Sequence, residues 1–157
     1  MASDDSVLPP CGLYRTTGTI DAAIPAERLV YFHNHGDPGP GVYLPESWAL
    51  NRAKFSAQGH VLAPSQLRLL TPLLPEGMYR VTEEFTCCAE AHRTFGRDLL
   101  VQLGYDGRAT PILFVPEWTT RGLYFPERGQ ALDRDRLNKL VPLVVAESPG
   151  LAPPHLN

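Results

Sequence analysis

His33-Asn34-His35 puts two imidazoles at i and i+2, and Asp37 follows two residues later. Side chains two apart on an extended segment point to one side, so His33 and His35 can grip one metal ion, and zinc suits such donors. Asp37, Cys87, Cys88 and His92 are the further ligands the chain offers. Against a metal stand two facts: the spacing follows none of the paired Cys and His patterns of structural zinc, and a loop tip rich in Gly and Pro also suits solvated histidines.

Cys87-Cys88-Ala89-Glu90-Ala91-His92 suggests a second chemistry, a thiol nucleophile with a nearby base. Catalysis would also need an oxyanion site and a third, orienting group, and the sequence displays neither. A short insert with a packed cysteine pair is the competing reading, and no residue is assigned a catalytic role. Glu46 and Glu117 stand beside Trp48 and Trp118. Two related carboxylates can serve as acid and base across a groove, but Arg15 and Arg80 recur with them. The expectation is therefore an Arg–Glu pair inside each unit, with Glu117→Gln lowering stability. Aromatic groups supply the remaining candidates, and Tyr31, Trp48, Tyr105 and Trp118 join His33 and His35 as the expected binding residues.

The elements that must position these residues come in two sets. Gly12-Leu13-Tyr14-Arg15-Thr16-Thr17 reappears as Gly77-Met78-Tyr79-Arg80-Val81-Thr82, Leu29-Val30 as Leu100-Val101, and Gly36 as Gly107. Pro45-Glu46 returns as Pro116-Glu117, Phe55 as Phe125, Gly59 as Gly129 and Leu62 as Leu132. Leu67, Leu70, Pro72 and Leu73 match Leu137, Leu140, Pro142 and Leu143. The order never breaks, so the reading is an internal duplication. Positions kept in both halves serve the fold; positions present in one half are where a site can be added. His33 and His35 are of the second kind.

The chain is 157 residues long, a one-domain length by the usual prior of about 150 residues. Units of about 70 residues are marginal alone, and Thr71-Pro72-Leu73-Leu74-Pro75-Glu76-Gly77 joins them without a flexible tract. One pseudo-symmetric body is expected. The division is 1–10 as a flexible N-terminus, 11–74 as the first repeat, 75–146 as the second and 147–157 as a Pro-rich tail. The net charge of −3 gives neither half a basic footprint, which argues against non-specific nucleic-acid binding. Three cysteines, two of them adjacent, make a poor disulfide framework and suit a reducing cytoplasm. The acidic start Met1-Ala2-Ser3-Asp4-Asp5 lacks an apolar h-region, so no signal peptide is read. No apolar run reaches the length of a membrane span.

In chain order, Cys11–Ile20 reads as a strand, Asp21–Glu27 as a turn, Arg28–Phe32 as a strand and His33–Gly41 as a loop. Val42–Leu44 is a third strand. Glu46–Phe55 carries helix formers and reads as a short helical turn, whereas Glu117–Phe125, with Thr119-Thr120 and Gly122, reads as a hairpin. A one- or two-turn helix follows over Pro64–Leu70. Its counterpart is capped by Asp133, with Asp135 in its first turn and Pro142 stopping it. Leu143-Val144-Val145 closes the second unit.

The fold class is all-β: two tandem, pseudo-symmetric small β-barrel units of the SH3-like kind, each closing its own edges and carrying a short helical turn near its end. The expected function is a non-enzymatic protein-interaction or assembly module, a tandem small-barrel adaptor or structural component that binds a protein partner. The alternative is a metal-dependent enzyme with its site in the loop from His33 to Asp37.

Overall fold

The computed structural model describes residues 7–36 and 39–149. Among the described residues strands dominate, with two short 3-10 helices, which puts the chain in the all-β class. Among the described residues no helix is long and apolar enough to cross a membrane. The chain divides into two compact units: the first runs to Ala49, resumes over Ala53–Pro75 and includes Asp106–Ala109; the second holds Leu50–Arg52, Glu76–Tyr105 and the chain from Thr110 onward. This division departs from the sequence boundaries at two hairpin tips.

Unit 1 is built on β1 (Gly12–Thr16), β2 (Leu29–His33), β3 (Gly41–Ala49), β4 (Arg52–Val61), a 3-10 helix (Pro64–Leu69) and β5 (Leu70–Pro72). Its sheet runs β4-β3-β2-β1-β5, and the pairings described are antiparallel. Tyr14 pairs with Val30 and Pro72, and Phe32 with Val42. Alternate residues point inward, which brings Tyr14, Val30, Phe32 and Val42 together with Ile24, Leu62 and Leu70 in one core. Each such side chain contributes about 1.5–3 kcal/mol on burial.

β1 stops at Thr16 instead of running on to Ile20 because the Thr16 side chain is committed to closing a loop. Its Oγ1 donates to Pro25 O at 2.8 Å and accepts from Arg28 N at 2.9 Å. Asp21 shapes the turn inside that loop, its Oδ1 accepting from the N–H groups of Ala23 and Ile24, an Asx turn that folds Ile24 into the core.

The helical turn expected over Glu46–Phe55 is not formed. β3 and β4 run through it, joined by Leu50-Asn51 with φ of 52° and 65°. Two consecutive left-handed residues make the type I′ turn whose twist matches paired strands. The helix propensity of Ala49, Leu50, Arg52 and Lys54 is a weak preference that this strand pairing overrides.

Unit 2 contains β6 (Gly77–Val81), β7 (Phe85–Thr86), β8 (Thr94–Phe95), β9 (Leu100–Tyr105), β10 (Pro111–Phe114), β11 (Glu117–Thr119), β12 (Gly122–Tyr124), β13 (Gln130–Ala131), a 3-10 helix (Arg134–Lys139) and β14 (Leu140–Pro142). Its main sheet runs β13-β10-β9-β6-β14, with Tyr79 paired to Val101 and Pro142, and Leu103 to Leu113. β7–β8 and β11–β12 form separate two-stranded ribbons. The extra residues of the second half form the β7–β8 ribbon, anchored by Phe85 stacked on Phe95 at 5.1 Å.

Two expectations for this unit are corrected. Asp133 makes no side-chain cap; its backbone N–H donates to Cys87 O at 2.9 Å instead. The closing strand is Leu140–Pro142, three residues earlier than expected, because buried Leu140 is the position that reaches the core while Val144 is fully exposed. Both five-stranded sheets remain open, with β4 and β5 at the edges of the first and β13 and β14 at those of the second. Strands β5 and β14 are three residues long and end on proline, which has no N–H with which to extend a ladder.

Candidate functional site

Gly12 pairs with Phe32 in an antiparallel register, so Cys11 falls opposite His33, the last residue of β2. The chain then bends at Asn34, which binds the thiol from both sides. Its N–H donates to Cys11 Sγ at 3.3 Å, and the thiol donates to Asn34 Oδ1 at 3.2 Å. Asn34 Nδ2 donates to Pro9 O at 3.2 Å, tying the loop to the segment before β1. His35 Nδ1 lies 2.8 Å from Asn34 Oδ1 and 3.8 Å from Cys11 Sγ. His33 Nδ1 sits 2.6 Å from His35 O, and the two imidazoles are 3.9 Å apart between centroids.

Cys11, His33 and His35 therefore bring one ligand atom each within 4.8 Å of the others. Cys11 and His33 are half-buried and His35 is exposed. The two histidines share a side as their spacing suggests, but the third donor is Cys11, which sequence reasoning left aside. The signal was long-range: only the β1–β2 register sets position 11 against position 33. Asp37 lies outside the described residues. Burial, with Cys11 nearby as a second cause, raises the phenol pKa of Tyr14 and of Tyr31.

In unit 2 a second group forms from Cys88, Glu90 and His92, within 4.8 Å and largely exposed. Cys87 is fully buried, and all three cysteines are free. A buried thiol on the β7 ribbon packs as a small apolar group.

Arg15 and Arg80 pair with carboxylates other than the expected Glu46 and Glu117, and the second of these is an aspartate. Arg15 Nη1 meets Glu27 Oε1 at 2.7 Å, and Arg80 Nη1 meets Asp98 Oδ1 at 2.8 Å. Glu27 and Asp98 have φ of 60° and 68°, left-handed positions at tight turns that turn each carboxylate toward its arginine. Glu46 and Glu117 are exposed.

The aromatic candidates separate. Tyr105 is 2% exposed and belongs to the core, which leaves it no face for a partner. Its burial raises its pKa far above that of a free phenol, with smaller contributions from Tyr79 and Glu76. Tyr31 packs against Phe55 with centroids 5.7 Å apart and the rings tilted by 52°. Trp48 is 44% and Trp118 83% exposed. Trp118 lies on the β11–β12 ribbon with Leu123 and Tyr124, and Phe125 follows; all of them are exposed.

Sequence reasoning also missed Gln102. It is buried and held in unit 2 by Asn51 Nδ2 at 3.0 Å, while its own Nε2 donates to Leu50 O at 3.0 Å. A Cβ at Gly104 would come within 2.7 Å of Asn51 O, so glycine is what lets the Leu50-Asn51 turn approach β9. Comparison with protein-family models, curated proteins and solved structures finds no match.

Proposed function

We propose that this chain is a non-enzymatic assembly module, a tandem of SH3-like units whose docking element is the β11–β12 hairpin. The observation that carries the reading is the ribbon itself. Among the described residues it pairs with no third strand, and Glu117, Trp118, Thr119, Leu123 and Tyr124 are exposed on both of its faces. An isolated two-stranded hairpin is marginal in water, and large exposed aromatic side chains mark interaction surfaces. The tandem reading is supported by like strand order in both main sheets, a 3-10 helix just before the last strand of each, and matched registers: Gly12 with Phe32, and Gly77 with Leu103.

The partner we propose is a second copy. The hairpin of the first half ends in a two-residue turn, Leu50-Asn51, and that of the second half in another, Thr120-Arg121. The first turn is seated within unit 2 against Gln102 and Gly104. The matching place in unit 1 is around Tyr31, but His33 stands there where unit 2 has Gly104, so the Thr120-Arg121 turn does not seat as closely. The contact we propose is made by the exposed Trp118 of one molecule near Tyr31 of the next, a head-to-tail contact that builds rings or filaments. The free thiols fit a reducing, cytoplasmic setting.

Analytical ultracentrifugation across a concentration series tests this. Wild type self-associates, and Trp118→Ala weakens association at least tenfold with unchanged melting temperature. Tyr31→Ala weakens it likewise at temperatures where the variant is still folded, its melting temperature falling through lost packing on Phe55. A wild type that stays monomeric, or association indifferent to Trp118→Ala, sinks the reading. Loss with Trp118→Ala but not Tyr31→Ala points to hairpin-on-hairpin pairing and removes the head-to-tail contact.

A further inference from the structure

We infer that Cys11, His33 and His35 bind one zinc ion. The separation of Cys11 Sγ from His35 Nδ1 is 3.8 Å. A Zn–S bond of about 2.3 Å and a Zn–N bond of about 2.05 Å at a tetrahedral angle span an edge of about 3.6 Å. The two atoms therefore stand close to their ligating distance before any ion arrives. Each of the three residues offers a ligand atom within 4.8 Å of the others, so the donors are already gathered.

Two of the surrounding bonds suit a bound ion, and the two that Asn34 Oδ1 accepts must give way to it. His33 donates from Nδ1 to His35 O at 2.6 Å, a backbone bond of the sort that fixes the tautomer and keeps a lone pair on Nε2. The Asn34 N–H already points at Cys11 Sγ, where it would stabilise a thiolate. Binding replaces the thiol proton with the ion and breaks the bond from His35 Nδ1–H to Asn34 Oδ1. The His35 proton moves to Nε2 through solvent, so one net proton leaves, from Cys11, and both imidazoles bind neutral. A thiolate and two imidazoles select a borderline-soft cation over magnesium or calcium. Three protein donors leave the fourth position to solvent.

This site is independent of the assembly reading. It stands on one loop and the strand start beside it, and it narrows the sequence expectation for His33 and His35 by adding Cys11 and setting aside Cys87, Cys88 and His92.

The test uses the full-length chain stripped with a chelator and titrated with cobalt(II), then zinc(II). One equivalent of cobalt is expected to give tetrahedral visible bands and a near-ultraviolet thiolate-to-cobalt band, both bleached by zinc. Cys11→Ser abolishes the thiolate band, His35→Ala and His33→Ala each weaken cobalt at least tenfold, and Cys88→Ser changes nothing. Circular dichroism checks that each variant is folded, and the two histidine variants on the loop keep the test valid should Cys11→Ser perturb β1. Absence of a thiolate band in the wild type overturns the proposal. So does a band that survives Cys11→Ser, or one lost with Cys88→Ser, which would move the ion to the exposed group in unit 2.

Discussion

Asn51 and Gln102 satisfy each other inside unit 2: the Asn51 amide donates to Gln102 Oε1 at 3.0 Å, and Gln102 returns its own amide to Leu50 O. Asn51 Nδ2 also reaches Pro126 O at 2.9 Å. Gln102 is only 8% exposed, so a lost partner there is not replaced by water. Asn51→Ala is expected to cost about 1–3 kcal/mol, read by urea denaturation. In a double-mutant cycle with Gln102→Leu the combined loss should be clearly less than the sum; full additivity would show that the two amides do not act together.

Leu50 holds a φ of 52° with its side chain in solvent. A left-handed backbone costs a branched residue about 1–2 kcal/mol, and asparagine tolerates it better. Leu50→Asn should raise the melting temperature, since the Leu50 carbonyl that Gln102 uses is unchanged. A lower melting temperature would mean that the leucine side chain makes a contribution its exposure does not suggest.

Thr16 and Val81 fill like places at the ends of β1 and β6, and both are fully buried. Only the threonine carries a bond to Pro25 O and another from Arg28 N. Thr16→Val keeps the volume and leaves that carbonyl and N–H short of a partner, a loss of about 1–3 kcal/mol. A change within experimental error would indicate that the loop re-pairs by itself.

Alkaline pH should destabilise the fold through Tyr79. Burial raises its phenol pKa from the ordinary 10.0 to about 12. The folded chain thus keeps a proton that the unfolded chain releases between those values. Stability from this group is complete below pH 10 and falls as pH climbs toward 12. Tyr79→Phe should flatten the stability profile in that window by about one proton's worth of slope; an unaltered slope would assign the alkaline loss to other groups.

Glu117→Gln is expected to shift stability by no more than about 0.5 kcal/mol, as an exposed substitution does. Arg80→Ala breaks an exposed pair with Asp98 and should cost up to about 1 kcal/mol, less at high salt. The opposite ranking in thermal melts would restore Glu117 as the structural carboxylate.

The strands were legible wherever apolar residues alternate between Gly and Pro signals. Arg28–Phe32 reads as β2 within one residue, and Glu117–Phe125 reads as the hairpin it is, because Thr119-Thr120 and Gly122 favour one locally. Glu46–Phe55 misled for the opposite reason: its composition favours helix, and the turn that wins depends on strand pairing and on a seat beside Gln102. The charged pairs misled because Glu46 and Glu117 lie near prominent tryptophans in sequence, while Glu27 and Asp98 reach the arginines only through left-handed turns. At the candidate metal site the histidines were visible as a spacing, and Cys11 was not, since it precedes them by more than twenty residues.

Residue order alone determined an all-β chain of short strands, because β-branched and aromatic alternation and the placement of Gly and Pro act over a few neighbouring residues. Tertiary structure decided which distant residues meet: Cys11 with the histidines, Arg15 with Glu27, Asn51 with Gln102. Those meetings follow from antiparallel register, and register is chosen by the fit of whole apolar faces, a collective quantity that no local stretch of sequence carries.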